Sequence, residues 1–351
     1  MTILTAFLDG MRRVRSAPAV LLGLFLVTFL VTVPLGVVLA GMITNSLGHS
    51  MAAEGAAAGV NYEWWQEFSA QATGVGRAFT PTTVGFGGVL SNISSVMDAS
   101  AQPLVLASVI AAYLVVWIFL VGGVLDRYSR NRRVGAAAFF AASGVFFFRF
   151  LRLGVLALLA YGVLYATLHR WLFDGFYPWA TRDMTVERTG FFLRLALYLL
   201  FGALLLACNL VFDYAKIRAV VEDRRSMVGA VMAAWRFVAR HPVQALGLYL
   251  LNGVVFVALL AVYALVAPGA GGMGWSLWLG LLVAHAYLLL RLAVKLQFYA
   301  SQVALFQGSL AHAHYNAAPV ATWPDSPMVE AMGPPPGVSA GGSEDPPTQG
   351  T

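Results

Sequence analysis

Residues 19–42 read AVLLGLFLVTFLVTVPLGVVLAGM, a stretch without a charged side chain. About 20 apolar residues in a helix span the hydrocarbon core of a bilayer, whereas the apolar part of a signal peptide has about 7–15 residues. Three arginines precede the stretch and residues 38–40 (VLA) fit a cleavage pattern, but the apolar run is too long for a signal peptide. We interpret it as an uncleaved first transmembrane helix.

The same length criterion selects five more stretches. The predicted spans are residues 19–42, 103–125, 153–172, 191–212, 243–266 and 275–296. Arg149 and Arg152 interrupt the apolar run before the third span, so a longer, tilted helix from about residue 145 is an alternative there. We predict an all-α, polytopic membrane helix bundle within residues 1–315, with interfacial amphipathic helices beside the six spans.

The composition agrees with a membrane protein. Hydrophobic residues make up 59% of the chain and charged residues 11%, whereas a soluble domain carries about 25% charged residues. This excludes a soluble enzyme, a disordered chain and a coiled coil. The single cysteine, Cys208, excludes an intramolecular disulfide.

The basic residues are distributed unevenly along the predicted topology. If the N-terminus lies inside, seventeen of the 22 Lys and Arg residues lie inside and five outside. Because basic residues favour cytoplasmic loops, we expect both termini to be cytoplasmic. Arginine far outnumbers lysine in this Ala- and Gly-rich chain, which is typical of GC-rich bacteria and indicates a bacterial inner membrane. No basic tail or motif predicts nucleic-acid binding.

The predicted outside loop, residues 43–102, contains a short aromatic helix. Trp64, Trp65 and Phe68 share one face, and Glu63 and Glu67 share another. Tryptophan rings favour the headgroup level of a membrane, so we predict that these three residues are interfacial aromatics. A cap that gates a substrate is the alternative.

A weak internal repeat relates two parts of the chain. The first copy contains Asp126, residues 134–136 (VGA) and residues 153–154 (LG), and the second contains Asp213, residues 228–230 (VGA) and residues 246–247 (LG). Each copy is predicted to run from one span along a basic cytoplasmic helix into the next span. Transporters contain such repeats, but duplication also produces bundles without transport activity.

The two basic cytoplasmic helices face a leaflet rich in anionic lipids, which attracts basic residues. Candidate contacts to lipid headgroups are Arg132, Arg133, Arg224, Arg225, Trp235 and Arg236. The alternative is that these residues serve only as the ordinary topology signal.

Residues 213–218 (DYAKIR), 233–237 (AAWRF) and 241–242 (HP) carry a family resemblance. This stretch resembles the cytoplasmic helix of bacterial multi-pass proteins similar to the membrane domain that accompanies some glycerophosphodiester phosphodiesterases. The resemblance extends over about the second half of the chain. It implies a six-helix membrane domain without a known activity of its own. Because the sequence contains no phosphodiesterase segment, we expect the enzymatic association not to transfer.

Ionisable residues inside spans are candidates for function because their burial is costly. Asn209, Asp213 and Lys216 follow one face of the fourth span, and Arg291 and Lys295 follow one face of the sixth. We expect Asp213 to pair with Arg291 or Lys295. The cluster is either a polar vestibule or a structural ion pair whose lysine reaches the interface.

Other polar residues predict little chemistry. His285 in the sixth span is predicted to pack between helices, with proton relay as the alternative. His312 and His314 have a metal-like spacing but no third ligand nearby, so we expect neither a metal nor another cofactor. Residues 316–351 contain eight of the 15 prolines and no basic residue, which predicts a disordered cytoplasmic tail.

These observations predict a non-enzymatic scaffold or accessory protein that interacts with membrane lipids or with a membrane-protein partner. The alternative function is a transporter for a small solute or a lipid.

Overall fold

The computed structural model describes residues 1–48, 50–59, 61–80, 85–267 and 274–312. In this part of the chain the secondary structure is helical, without strands, which confirms the all-α prediction. The chain divides into two units, Met1–Ser309 and Leu310–Thr351. Beyond its first three residues the second unit is not described, so the predicted tail at residues 316–351 lies outside the described residues.

The described helices vary widely in length. They are α1 (Ile3–Arg15), α2 (Pro18–Leu47), α3 (Ala53–Ala58), α4 (Tyr62–Gln71), α5 (Phe86–Met97), α6 (Leu104–Arg130), α7 (Ala136–Val163), α8 (Tyr177–Thr181), α9 (Glu187–Val221), α10 (Met227–Arg240), α11 (Pro242–Val266) and α12 (Trp275–His312). Six long apolar helices, built on α2, α6, α7, α9, α11 and α12, are long enough to cross a membrane, and each predicted span overlaps one of them. The multi-pass class is therefore confirmed.

The third membrane helix is much longer than its predicted span. The helix α7 continues through two π-helical segments, Leu164–His169 and Trp171–Phe176, into α8. The whole rod, Ala136–Thr181, has 46 residues. At 1.5 Å per residue it is about 70 Å long, twice the thickness of a hydrocarbon core. The separate basic helix expected in the first repeat copy is therefore wrong, because residues 136–149 form the first turns of α7 itself.

The backbone nevertheless shows the repeat. The helices α6 and α9 both end in a turn that contains a left-handed residue, Asn131 (φ 46°) after α6 and Asp223 (φ 49°) after α9. Each turn leads into a helix that packs back on its predecessor. In the second copy α10 is separate, because Pro242 cannot continue a helix and restricts His241 before it.

The N-terminus repeats this helix break, which the sequence reasoning missed. Ala17 before Pro18 has φ −130° and ψ 53°, and His241 before Pro242 has φ −127° and ψ 51°. In both places a short amphipathic helix that ends in an arginine precedes a membrane helix. The missed signal was a proline two or three residues after an arginine.

One end of the bundle, which we call the basic end, gathers α1, α10, the C-terminal ends of α6 and α9, and the last turns of α12. Gly10 of α1 lies so close to α12 that a Cβ there would come within 2.6–2.7 Å of Ser301. Gln297 of α12 donates a hydrogen bond to the Phe7 carbonyl oxygen at 2.8 Å. The helix α1 thus packs against the bundle through one face, which contains Ala6, Gly10 and Arg13.

Arg13 connects α1 to two other helices at the basic end. Its guanidinium donates to the carboxylate of Asp9, to the carbonyl oxygen of Tyr128 at 2.7 Å and to the side-chain oxygen of Gln307 at 2.8 Å. Its side chain is 10% exposed. These bonds satisfy a nearly buried charge and fix α1 against α6 and α12.

At the opposite end, the predicted aromatic helix does not form a lipid-facing belt. Trp64 and Phe68 are buried in a small core against Met42, at the end of α2. The indole N–H of Trp64 donates to Ser46, and that of Trp65 donates to the Phe79 carbonyl oxygen, both at 3.1 Å. The prediction of interfacial aromatics at Trp64, Trp65 and Phe68 is therefore corrected for Trp64 and Phe68, which are buried against α2, whereas Trp65 is half-buried beside them.

The physical reason lies in the length of α2. Its 30 residues extend about 45 Å, which exceeds the hydrocarbon thickness. The last turns of α2 therefore offer apolar side chains beyond the membrane core, and α4 covers them. A sequence pattern alone does not distinguish this cover from a lipid belt, because both require aromatic rings with a polar edge.

Candidate functional site

A cavity of about 460 Å³ lies among α6, α9, α11 and α12. We call it the polar cavity. Its polar lining residues are Asn209, Asp213, Lys216, Tyr249, Arg291 and Lys295. The structure thus brings all five residues of the predicted polar cluster to one cavity and adds Tyr249 to them.

The α9 wall of the cavity is a stripe of hydrogen-bonded polar side chains. Lys216 Nζ lies 2.8 Å from Asp213 Oδ1, and Asn209 Nδ2 donates to Asp213 Oδ2 at 3.3 Å. Asn209 Nδ2 also lies 2.5 Å from the Tyr249 hydroxyl of α11. Spacings of four and three residues place these α9 side chains on one helix face. Asp213 is 5% exposed, so its charge is balanced inside the bundle.

The expected pairing of Asp213 with Arg291 or Lys295 is wrong. Among the described ion pairs, Asp213 pairs with Lys216, one turn further along the same helix. A lysine three residues away needs no second helix to place it, so this pair forms wherever α9 is helical. The cations of α12 are left without this carboxylate.

The α12 wall carries those two cations. Lys295 Nζ lies 3.4 Å from the centre of the Trp117 ring of α6, which is a cation–π contact. Arg291 stands one turn earlier and is exposed. Within the described part of the chain, neither side chain makes an ion pair. The cavity therefore holds one ion pair and two basic side chains without a carboxylate partner among the described residues.

The rest of the lining is apolar. It consists of Leu114, Trp117, Phe256, Val294 and Phe298, together with the ring of Tyr299. Leu114 is 50% exposed, so the cavity reaches the outer surface of the bundle between α6 and α12. A ligand that fits this lining needs both an anionic and an apolar part.

The depth of the cations follows from helix geometry. Arg291 lies 16 residues after Trp275, the first residue of α12, which corresponds to about 24 Å along the helix axis. Lys295 lies about 6 Å further. A hydrocarbon core about 30 Å thick that begins at Trp275 would end near Lys295. On that placement the two side chains would lie at the level where the hydrocarbon meets the headgroups.

Sequence reasoning missed three aromatic contributors. Trp117 supplies the ring under Lys295, and Tyr249 supplies a hydroxyl to Asn209. Tyr161 of α7 donates to Asn209 Oδ1 at 3.5 Å, the long limit of a hydrogen bond. A tyrosine in the interior of a predicted span was the available signal, because its hydroxyl needs a partner there.

The residues predicted to contact lipid headgroups at the basic end differ in their exposure and in their ion pairs. Five of them are exposed, namely Arg132, Arg133, Arg225, Trp235 and Arg236. Arg224 instead forms an ion pair with Glu222, which also accepts a bifurcated hydrogen bond from Arg218 Nε at 3.1 Å and one from Arg218 Nη2 at 2.6 Å. Arg218 in turn donates to the Ala233 carbonyl oxygen at 2.6 Å and so joins the end of α9 to α10.

This linkage changes the acidity of Glu222. Burial acts to raise the pKa of its carboxyl group, but the hydrogen bonds and charges of Arg218 and Arg224 outweigh burial and lower the pKa below its ordinary value of 4.5. Glu222 therefore stays ionised to a lower pH in the folded junction between α9 and α10 than it would in the unfolded chain.

The other candidate residues are His285 and the pair His312 and His314. His285 Nδ1 lies 2.7 Å from the Leu281 carbonyl oxygen, and its ring packs against Phe25 and Phe29. In the described part of the chain, no group of three His, Cys, Asp or Glu side chains could hold a metal ion. Of the histidine pair His312 and His314, the second lies outside the described residues.

Comparisons with protein-family models, with curated proteins and with solved structures give no match to this chain. The resemblance to the membrane domain of glycerophosphodiester phosphodiesterases thus stays a prediction.

Proposed function

We propose that this chain is a non-enzymatic scaffold or accessory protein of a bacterial inner membrane that binds an anionic lipid in the polar cavity. Both termini are cytoplasmic in this proposal, because seventeen of the 22 basic residues then lie inside. The basic end consequently faces the anionic inner leaflet. A membrane-protein partner stays a prediction.

One observation carries the lipid assignment: Arg291 and Lys295 line an apolar-sided cavity without a counter-charge from the described residues. An uncompensated charge at the edge of the hydrocarbon core is costly. A lipid phosphate would supply the missing negative charge through charge-assisted hydrogen bonds, and its acyl chains would lie along the apolar lining. The depth of the two cations matches that of a headgroup.

The arginines of the basic end support this assignment. Arg132, Arg133, Arg225 and Arg236 are exposed beside the leaflet that the cavity faces. Each exposed basic residue near an anionic surface contributes about 1 kcal/mol of attraction. They would enrich anionic lipid around the protein, while the cavity would select one molecule.

Native mass spectrometry of the purified protein in neutral detergent tests this proposal. We expect a bound anionic phospholipid in the wild type and at least a tenfold weaker complex in Arg291→Gln/Lys295→Gln, since two charged hydrogen bonds are lost, each contributing about 1.5–3 kcal/mol. Arg15→Gln/Arg240→Gln is the matched control, because both of these arginines are exposed at the basic end and do not line the cavity.

Equal lipid loss in the two double variants would contradict the proposal, since it would mean that lipid binds only to the basic surface. Arg291→Lys/Lys295→Arg keeps both charges and should retain the lipid. Retention there shows that the lipid requires the two positive charges and not the particular side chains that carry them.

Lipid transfer is the second candidate, and a polar track favours it. The chain of contacts from Lys216 through Asp213 to Asn209 extends over seven residues, about 10 Å, along α9 into the span. Scrambling of a labelled lipid in reconstituted vesicles tests it. Transfer that is lost in Asp213→Asn, with the fold intact, would favour the transporter, and vesicles without transfer would favour the scaffold.

A further inference from the structure

The arrangement of charged side chains in the polar cavity indicates which class of anion it binds. The Lys216–Asp213 pair, with 2.8 Å between nitrogen and oxygen, is neutral as a unit. The remaining charges of the lining are those of Arg291 and Lys295. The cavity thus has two basic side chains beyond its ion pair, and an anion bound between them would favour the protonated form of both.

The two cations are placed to act on one group. They are four residues apart on α12, so their side chains emerge on one face about 6 Å apart at Cβ. The Trp117 ring holds the Lys295 ammonium from one side, whereas Arg291 is exposed and free to swing towards it. A guanidinium binds two oxygens of a phosphate at once, and an ammonium binds a third.

One neutral donor completes the polar wall. The Tyr249 hydroxyl lines the cavity and accepts a hydrogen bond from Asn209 Nδ2, so its own proton can be donated to a ligand. The two hydrogens of the Asn209 amide are used by Asp213 and Tyr249. The hydroxyl adds no charge, and a phosphate with three unesterified oxygens would use this donor together with the two basic side chains.

We propose that the cavity prefers an amphiphile that ends in a phosphate monoester, such as a phosphatidate, over a phosphodiester lipid such as phosphatidylglycerol. A phosphate monoester carries about −1.5 to −2 charges at neutral pH, which matches two protonated side chains. A phosphodiester carries a single charge and leaves one cation unbalanced in a region of low dielectric constant. This inference rests on the proposed function and names its ligand class.

The experiment is a competition in neutral detergent among phosphatidate, phosphatidylglycerol and inorganic phosphate, with native mass spectrometry as the readout. One additional charge-assisted hydrogen bond predicts that phosphatidate binds at least tenfold more tightly than phosphatidylglycerol. Lys295→Gln leaves one excess charge and should bring the two lipids to within about threefold of each other, whereas Lys295→Arg should keep the preference.

Each other outcome overturns a distinct claim. Equal binding of the two lipids in the wild type, still dependent on Arg291, overturns the monoester preference and leaves the proposed function standing. Binding of neither lipid at the cavity overturns the proposed function itself. Displacement of phosphatidate by equimolar inorganic phosphate overturns the requirement for an apolar chain and identifies the ligand as free phosphate.

Discussion

Lys295 rests on the face of the Trp117 ring, 3.4 Å from its centre, and not against a carboxylate. A ring attracts a cation through its quadrupole but does not neutralise it. Asp213, the acidic residue that lines the polar cavity, forms its ion pair with Lys216. The contact between Lys295 and Trp117 thus positions a charge that remains available to a ligand.

The fluorescence emission of Trp117 should change when a ligand binds in the polar cavity. The chain contains nine tryptophans, so the difference between the emission spectra of the wild type and Trp117→Phe isolates this indole. We expect phosphatidate to shift the difference spectrum, because an anion at Lys295 changes the field on the ring, and we expect a neutral lipid to leave it unchanged. Equal shifts with the two lipids would show that the cavity does not distinguish charge.

Gly10→Ala should destabilise the bundle. The added Cβ would meet the Ser301 backbone at 2.6–2.7 Å, so α1 must move away from α12. Overpacking of this kind costs about 1–3 kcal/mol, which a thermal unfolding scan in detergent detects as a lower Tm. Gly23→Ala in α2 is the control, since its Cβ would meet nothing within 4 Å. Equal Tm changes in both variants would contradict the packing of α1 against α12.

Arg13→Met should also lower the Tm. The change removes the donor to Tyr128 and Gln307 and leaves their oxygens unsatisfied, at a cost of about 3 kcal/mol. Arg12→Met is the matched control, because Arg12 is the exposed neighbour and a surface substitution stays within about 0.5 kcal/mol. A loss in Arg12→Met as large as that in Arg13→Met would show that charge, and not the buried contacts, stabilises α1.

The free energy of unfolding should fall in acid because Glu222 becomes protonated. Its folded pKa lies below the ordinary 4.5, so its contribution is fully present above about pH 4.5 and is lost as the pH falls through the folded pKa. Thermal unfolding from about pH 6 to pH 3 should therefore show a smaller acid-induced decrease in Tm for Glu222→Gln than for the wild type. Parallel curves for the two proteins would contradict the ion-pair junction between α9 and α10.

The predicted topology can be tested with reporters. A fluorescent protein that folds only in the cytoplasm should be bright after Thr351 and dark when it is inserted at Ser50, because residues 43–102 are expected outside. Equal cytoplasmic signals at both sites would contradict this orientation of α2.

The sequence predicted the features that depend on composition and helical spacing. Apolar length located the six membrane helices, and steps of three and four residues placed Asn209, Asp213 and Lys216 on one face. Contacts between helices were harder to predict. In the sequence, Lys295, 82 residues after Asp213, was as plausible an ion-pair partner for Asp213 as Lys216, three residues after it. Only the packing of α12 on α6 places Lys295 over Trp117.

Helix boundaries were also hard to predict from the sequence. Residues 136–163 contain no proline, so α7 runs without interruption, whereas Pro18 and Pro242 end the helices before them. The repeat pattern led to the expectation of a break in both copies. Local backbone chemistry decided where a break occurred.

The central claim is that a lipid phosphate binds at Lys295 in the polar cavity. The chain has only two lysines, so ¹⁵N-lysine labelling gives two Nζ signals, and Lys295→Arg assigns them. Solid-state NMR in phosphatidate-containing bilayers then measures ³¹P–¹⁵N dipolar dephasing. We predict strong dephasing of Lys295 Nζ, from a phosphorus atom roughly 4 Å away, and little dephasing of Lys216, which is held by Asp213. Absence of dephasing at Lys295 would contradict the account.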